Sequence, residues 1–183
     1  MVNVTKHLLH YPTNQEPNLI LPEEYGPYRY VLGKKGHNPL VVICMNPSAA
    51  TEDYSDMTIN RIIRTSIKLK RDGWIVFNLY PERATNKFEL NSFDNKVSKD
   101  NLEIIKKILV QKKINEVWGA WGNSYNIETL ILAKKELLDM LGKINVKIFY
   151  FGTLTKENNP PHPLQRIKKI IYDEQNKKYL RFS

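Results

Sequence analysis

A single cysteine, Cys44, stands in this 183-residue chain, inside an apolar run. An internal disulfide is excluded, and the natural place for such a thiol is the core. A chain without disulfides suits a reducing, cytoplasmic setting. Long hydrophobic runs are also missing. No segment approaches the roughly 20 apolar residues that cross a bilayer, and Met1 to Pro12 hold no apolar core for a signal peptide. No membrane partner is expected. Only 8 glycines occur, and none falls into either common phosphate-loop pattern. The cysteine and histidine spacing offers no zinc site. No Gly-x-Ser-x-Gly elbow surrounds Ser48, so Ser48 lacks the setting of a hydrolase nucleophile. Its natural role is a turn or anion-contacting hydroxyl. No metal and no cofactor are expected. Internal repeats and low-complexity segments are absent.

Hydrophobic residues make up 42% of the chain, enough for a folded core. The length suits one domain over 1–183, with an irregular N-terminal arm at 1–25 and an α/β core at 26–183. The formal net charge of +9 biases the protein toward polyanions, although the lysines are scattered over several helices.

The chain is organised around Leu40–Ala50. Six apolar residues from Leu40 to Met45 read as a strand buried on both faces. Asn46-Pro47 then opens a turn, because the residue before proline is driven out of the helical region. Before this strand, Tyr28–Leu32 alternates like a strand, and the turn Gly33–Gly36 predicts antiparallel pairing with Leu40–Met45. After it, Ile59, Ile62, Ile63 and Ile67 fall on one helical face, with Asp56 placed to cap. Trp74–Leu79 reads as a second buried strand. Ser98 is placed to cap a second helix with Leu102, Ile105 and Leu109 inward. The strand Glu116–Gly122 and a helix from about Ser124 to Leu141 follow, the latter with Ile127, Leu130, Ile131, Leu138 and Leu141 inward. The strand Val146–Phe151 and a basic C-terminal helix through Arg166, Lys168 and Lys169 close the pattern.

Strands alternate with helices, so the class is α/β with a mainly parallel sheet. In such a sheet the strands that precede helices end on one edge. That edge gathers Asn46-Pro47-Ser48, Asn78 with Arg83-Ala84-Thr85, Trp121-Gly122-Asn123, and Thr155-Lys156 with His162. Open α/β sheets bind ligands there.

The residue types suit neutral recognition. Asn46 and Asn78 each carry a donor and an acceptor on one amide, which fits a nucleobase edge; each serves equally as a loop-turn bonder. Trp121 or Tyr80 can stack on a flat ring. Arg83 and Lys156 can hold phosphate. His162, between prolines, can donate to an oxygen gaining charge, or stand exposed in its loop. Trp118 reads as core.

The ordered set Met45-Asn46-Pro47-Ser48, Asp56-x-Thr58, Asn78-Leu79, Arg83-Ala84-Thr85, Trp121-Gly122, Thr155-Lys156 and Pro161-His162-Pro163-Leu164 resembles a bacterial and phage family. That family is the domain of unknown function sixteen forty-three. The resemblance runs from about Tyr28 to Leu164. Asn86 departs from it where aspartate is usual, and Asn159 or its neighbour departs where glycine is usual.

The family in turn distantly resembles the uracil-DNA glycosylase superfamily. Asn46-Pro47 resembles the first motif of those enzymes, except that Cys44-Met45 precede it where glycine is usual. Asn78 resembles their base-reading asparagine, and Trp121-Gly122 their Trp-Gly. His162-Pro163-Leu164 matches their last motif in the His-Pro only and lacks the phosphate-contacting serine. The resemblance implies a three-layer α/β/α domain and hydrolysis of an N-glycosidic bond in DNA or a nucleotide. It implies that Asn46 positions the attacking water, Asn78 reads the base and His162 steadies the departing base. An asparagine has no basic form at neutral pH, so slow turnover, or none, is the expectation. The alternative is a non-catalytic module for a nucleotide or modified base. A third reading is an interaction protein that uses the scaffold against another partner. The partner expected from all this is nucleic acid or a free nucleotide or nucleoside.

Overall fold

The apolar run at the centre of the chain becomes the strand β3, Pro39–Cys44, buried at every position. The structure is a computed structural model that describes residues 8–165 and 170–181. The other strands are β1 Leu19–Leu21, β2 Val31–Lys34, β4 Gly73–Asn78, β5 Glu116–Gly119, β6 Lys147–Tyr150 and β7 Lys178–Tyr179. Helices α1 Met57–Lys68, α2 Asn95–Gln111 and α3 Glu128–Lys143 connect them. The seven strands form one sheet in the order β1-β2-β4-β3-β5-β6-β7.

The sheet is mixed, which corrects the expectation of a mainly parallel one. Only the centre is parallel: β3 beside β4 and β5, and β5 beside β6. The outer strands β1, β2 and β7 run antiparallel to their neighbours. The expected hairpin of β2 with β3 does not form, because β4 lies between them. Helix α1 carries the chain from β3 to β4, a parallel neighbour, and β2 takes the far side of β4. Gly33 makes that side possible, since a Cβ there would lie 2.5 Å from the Trp74 carbonyl oxygen. The turn after β2 is pinned to the start of β4 by Asp72, whose carboxylate accepts from the backbone of His37 and Asn38 at 2.8 Å each. The N-terminal arm is not wholly irregular either: Leu19–Leu21 pairs with Val31–Gly33 as β1.

Alternate residues of β3 feed two cores. Val41 and Ile43 join Val97, Ile105 and Leu109 of α2 and Leu130, Leu137 and Leu141 of α3. Leu40, Val42 and Cys44 join Ile59, Ile62 and Ile63 of α1. Period-two alternation against helices on both faces explains why the strand is apolar throughout.

Asp56 caps α1 as its sequence position suggests, its Oδ1 accepting from the Ile59 amide at 2.8 Å. Ile67 is 54% exposed, however, because the last turn of α1 turns Thr65 and Ser66 inward. Ser66 donates its hydroxyl to the Gly73 carbonyl at 2.7 Å and so ties the helix end to β4. Helix α2 starts one turn before expectation, capped by Asp94 on the Lys96 and Val97 amides. Ser98 lies inside it and bonds Glu136 of α3 instead. Helix α3 begins at Glu128, and Ile131 faces solvent while Ala133 and Leu137 fill the core. The basic segment through Arg166, Lys168 and Lys169 lies outside the described residues.

Candidate functional site

The register of the parallel strands sets Cys44 beside Asn78 at the carboxyl edge. The loops that leave that edge stay side by side. The Leu79 amide donates to the Cys44 carbonyl at 2.9 Å, Tyr80 to Met45 at 3.2 Å and Ala84 to Pro47 at 3.0 Å. The Gly122 amide donates to Pro160 at 2.9 Å, joining the loop after β5 to the one after β6. Ser124 strengthens that junction, its amide and hydroxyl reaching Glu157 Oε2 at 3.0 and 3.1 Å.

A cleft of about 1050 Å³ opens between these loops. Asn46, Ser48, Asn78, Thr85, Trp121, Asn123, Lys156 and His162 line it. Two expected residues do not. Pro47 contributes its carbonyl to the loop wall, accepting from Asn46 and Ala84. Arg83 turns away: its guanidinium donates to the Ala50 carbonyl at 3.2 Å and sits 4.4 Å from the centroid of the Tyr25 ring. Tyr80 is no stacking platform, since its ring is buried against Phe93 and its hydroxyl accepts from the Asp94 amide. Trp118 is core, as read from the sequence.

Asn78 is 1% exposed, and neither its Nδ2 nor its Oδ1 has a partner among the described residues. An amide buried without partners costs about 1–3 kcal/mol, and folds rarely keep one without a reason. Its backbone, by contrast, is held firmly. Asn101 of α2 donates from Nδ2 to the Asn78 carbonyl at 3.0 Å and to the Leu79 carbonyl at 3.3 Å. Asn123 adds a second orphan, a buried Oδ1 without a partner.

Asn46 divides its amide between two jobs. Its Nδ2 donates to the Ala84 carbonyl at 2.7 Å and to Pro47 at 3.0 Å, while its Oδ1 accepts from none of the described residues. The side chain is thus a fixed acceptor at the cleft.

His162 receives the Leu164 amide proton on Nδ1 at 3.2 Å. That bond needs a lone pair on Nδ1, so the neutral ring carries its proton on Nε2. Burial holds the imidazole below its ordinary pKa; Asp56 pulls upward against this, and Lys87 adds to the lowering. The ring is therefore a neutral donor at neutral pH. Trp121 is 2% exposed and its indole N–H donates to Asn159 Oδ1 at 3.3 Å, which makes it a wall with a fixed tilt. Asn159 also accepts from Lys134 at 2.9 Å. Its neighbour Asn158 adopts φ +56, the conformation that glycine favours and asparagine tolerates best among side-chain residues. Asn86, the other departure, accepts from the Phe88 amide and caps the short 3-10 helix Lys87–Glu89.

Sequence reasoning missed three sets of cleft residues. Arg29 is 3% exposed, lines the cleft, and donates to the Ala50 carbonyl at 2.5 Å. Burial, reinforced by Arg83, brings its pKa down to about 10. An arginine within an otherwise strand-like stretch was the available signal. Phe88 and Tyr125 are exposed aromatics on the cleft lining, edge to face at 6.2 Å, and Lys87 Nζ sits 3.2 Å from the Tyr125 centroid. Their signal was an aromatic in each of two polar loops at the same sheet edge. Asp56, read as a cap and as part of the family motif but not as a site residue, also lines the cleft. Cys44 lines it too, but burial pushes its thiol up to about 12, so no thiolate forms near neutrality. The described residues contain no cluster of three or more potential metal ligands, and none of their helices is long and apolar enough to cross a membrane.

A family model described as "Protein of unknown function (DUF1643)" matches residues 29–164. The chain belongs to the DUF1643 family. The match to DUF1643 begins at Arg29 and ends two residues past His162, so it encloses the cleft residues discussed above. Strands β1 and β7 lie outside the DUF1643 span. No curated protein and no solved structure matched the chain.

Proposed function

We propose that the cleft recognises a nucleobase and that the protein is an N-glycosylase-like hydrolase acting on a nucleotide unit in DNA or free in solution. The observation that carries this reading is Asn78: a carboxamide buried at the cleft with its donor and acceptor both unpartnered. A nucleobase edge offers the complementary acceptor and donor. Lys87, Lys156, Lys178 and Arg29 give the cleft lining a cationic balance that suits phosphate. The resemblance of Asn46-Pro47, Asn78, Trp121-Gly122 and His162-Pro163 to the uracil-DNA glycosylase superfamily adds the reaction and a three-layer arrangement of that type. In this reaction Asn46 Oδ1 orients water, Asn78 reads the base, and neutral His162 donates from Nε2 to the base oxygen as it gains charge. In duplex DNA the base must first leave the stack.

The test is base release, followed by chromatography, from DNA containing uracil, hypoxanthine or hydroxymethyluracil and from free nucleosides. Release from one of them supports the reading. Binding of a base or nucleotide with no release from any substrate replaces it with the binding-module alternative. Binding to DNA that weakens steeply between two salt concentrations identifies a polynucleotide partner; binding confined to nucleotides identifies the free ligand.

A further inference from the structure

The cleft holds one carboxylate among the described residues that line it, Asp56; its other ionisable lining groups are Arg29, Lys87, Lys156, Lys178, Cys44, Tyr125 and His162. Asp56 is half-buried, and only one of its oxygens is committed. Oδ1 accepts from the Ile59 amide at 2.8 Å, while Oδ2 takes no hydrogen bond from the described residues. The backbone beneath is rigidly held. Ser55 is fully buried and exchanges two backbone bonds with Leu9, at 2.7 and 2.8 Å, and its hydroxyl donates to Asn60 Oδ1 at 2.8 Å. The groups within reach of its charge come from separate elements: Tyr11 of the N-terminal segment, Arg29 before β2, Cys44 at the end of β3 and His162 of the last loop. Arg83 adds its charge near Arg29, and Lys87 adds its own near His162.

We infer that Asp56 is the general base of the cleft, a catalytic residue that takes a proton from the attacking water. This rests on the N-glycosylase reading and supplies what that reading lacks. The amide oxygen of Asn46 can orient water but cannot accept its proton at neutral pH. As the water oxygen bonds to the sugar C1′, one water proton passes to the free oxygen of Asp56. The C1′–N bond breaks, and its electron pair leaves on the base, where His162 Nε2–H meets the charge on the base oxygen. The proton on Asp56 then passes to the departing base, which restores the carboxylate. Asn46 and Asp56 thus divide orientation and proton transfer between them.

The experiment uses the full chain with Asp56→Asn and Asp56→Ser. Asparagine and serine are both good N-caps, so α1 keeps its start. Base release should fall about a hundredfold or more, the loss of a positioned acid–base group, while calorimetric binding of the free base stays within a few-fold. The acidic limb of the rate–pH profile should disappear. An activity-independent readout accompanies these: the His162 imidazole, followed by NMR, should titrate lower in Asp56→Asn, since the carboxylate no longer pulls it up. Release at the wild-type rate in either variant, or an unmoved His162 titration, overturns the assignment. Absence of release by the wild type overturns the N-glycosylase reading itself, an outcome distinct from an active wild type with an equally active Asp56→Asn.

Discussion

A Cβ added to Gly122 would lie 3.3 Å from the Cβ of His162. Gly122 also adopts φ +70, where a side chain is strained. Two loops, after β5 and after β6, therefore meet at a glycine, and the position of the histidine depends on it. Gly122→Ala should cost about 1–3 kcal/mol from the backbone strain alone. It should also displace His162, so the NMR shifts of that imidazole change along with the melting temperature. An unshifted imidazole would show that the contact is not holding the ring.

Asn78 at the end of β4 and Asn101 of α2 are both buried asparagines, and they should respond oppositely to removal. Asn101→Ala strips the donor from two carbonyls and should cost about 1–3 kcal/mol. Asn78→Leu removes an amide with no partner and should be near neutral or stabilising, because apolar replacement of an unsatisfied polar group relieves its desolvation cost. The same Asn78→Leu protein should lose nucleobase binding. Denaturant unfolding and a base-binding titration on both variants check the contrast.

Acid should destabilise the protein partly through His162. Its folded pKa lies below the ordinary value because of burial. The unfolded chain then takes up the proton first, so this stability is present at neutral pH and is lost as pH falls below about 6.5 toward the lower folded value. Carboxylates also contribute to acid loss: Asp72, despite its desolvation, is lowered by the backbone amides of Asn38 and His37, and Glu116 is lowered by Lys177 and Tyr179. These remain in a His162→Gln variant. The wild type should therefore lose more stability between pH 7 and pH 5 than His162→Gln does, measured by urea unfolding at each pH.

Asn46→Ala should remove most base release while leaving nucleobase binding largely intact, since the water it orients matters mainly in the transition state. The loss of Nδ2 from the Ala84 and Pro47 carbonyls should also lower stability by about 1 kcal/mol, a melting shift of roughly 2–4 °C. His162→Ala should slow release about a hundredfold or more without the same loop destabilisation. Equal release by wild type and Asn46→Ala in a steady-state assay would exclude the assigned role of the asparagine.

The sequence by itself determined the elements whose causes are local. Asp56 ahead of Ile59, Ile62 and Ile63 is enough to start α1 and choose its inner face. The apolar runs at β3 and β4 require burial on both sides wherever they lie, and the asparagine beside each of their carboxyl ends is visible at once. That Asn46, Asn78, Trp121 and His162 share one edge follows from strand–helix alternation. Strand neighbours were not determined this way, because pairing depends on which faces remain open after α1 has brought β4 back to β3. The cap of α2 was not either: Asp94 and Ser98 are both good cap residues, and packing of Ser98 against Glu136 selects between them. Only the tertiary structure turned Arg83 away toward Ala50 and Tyr25 and brought Arg29 to the cleft in its place. A long cationic side chain reaches several ångströms in any direction, so its loop does not say where its charge will lie. The same holds for Asp56, whose capping oxygen is written in the local sequence, whereas the charged groups its carboxylate acts on, Arg29 and His162, come from segments far along the chain.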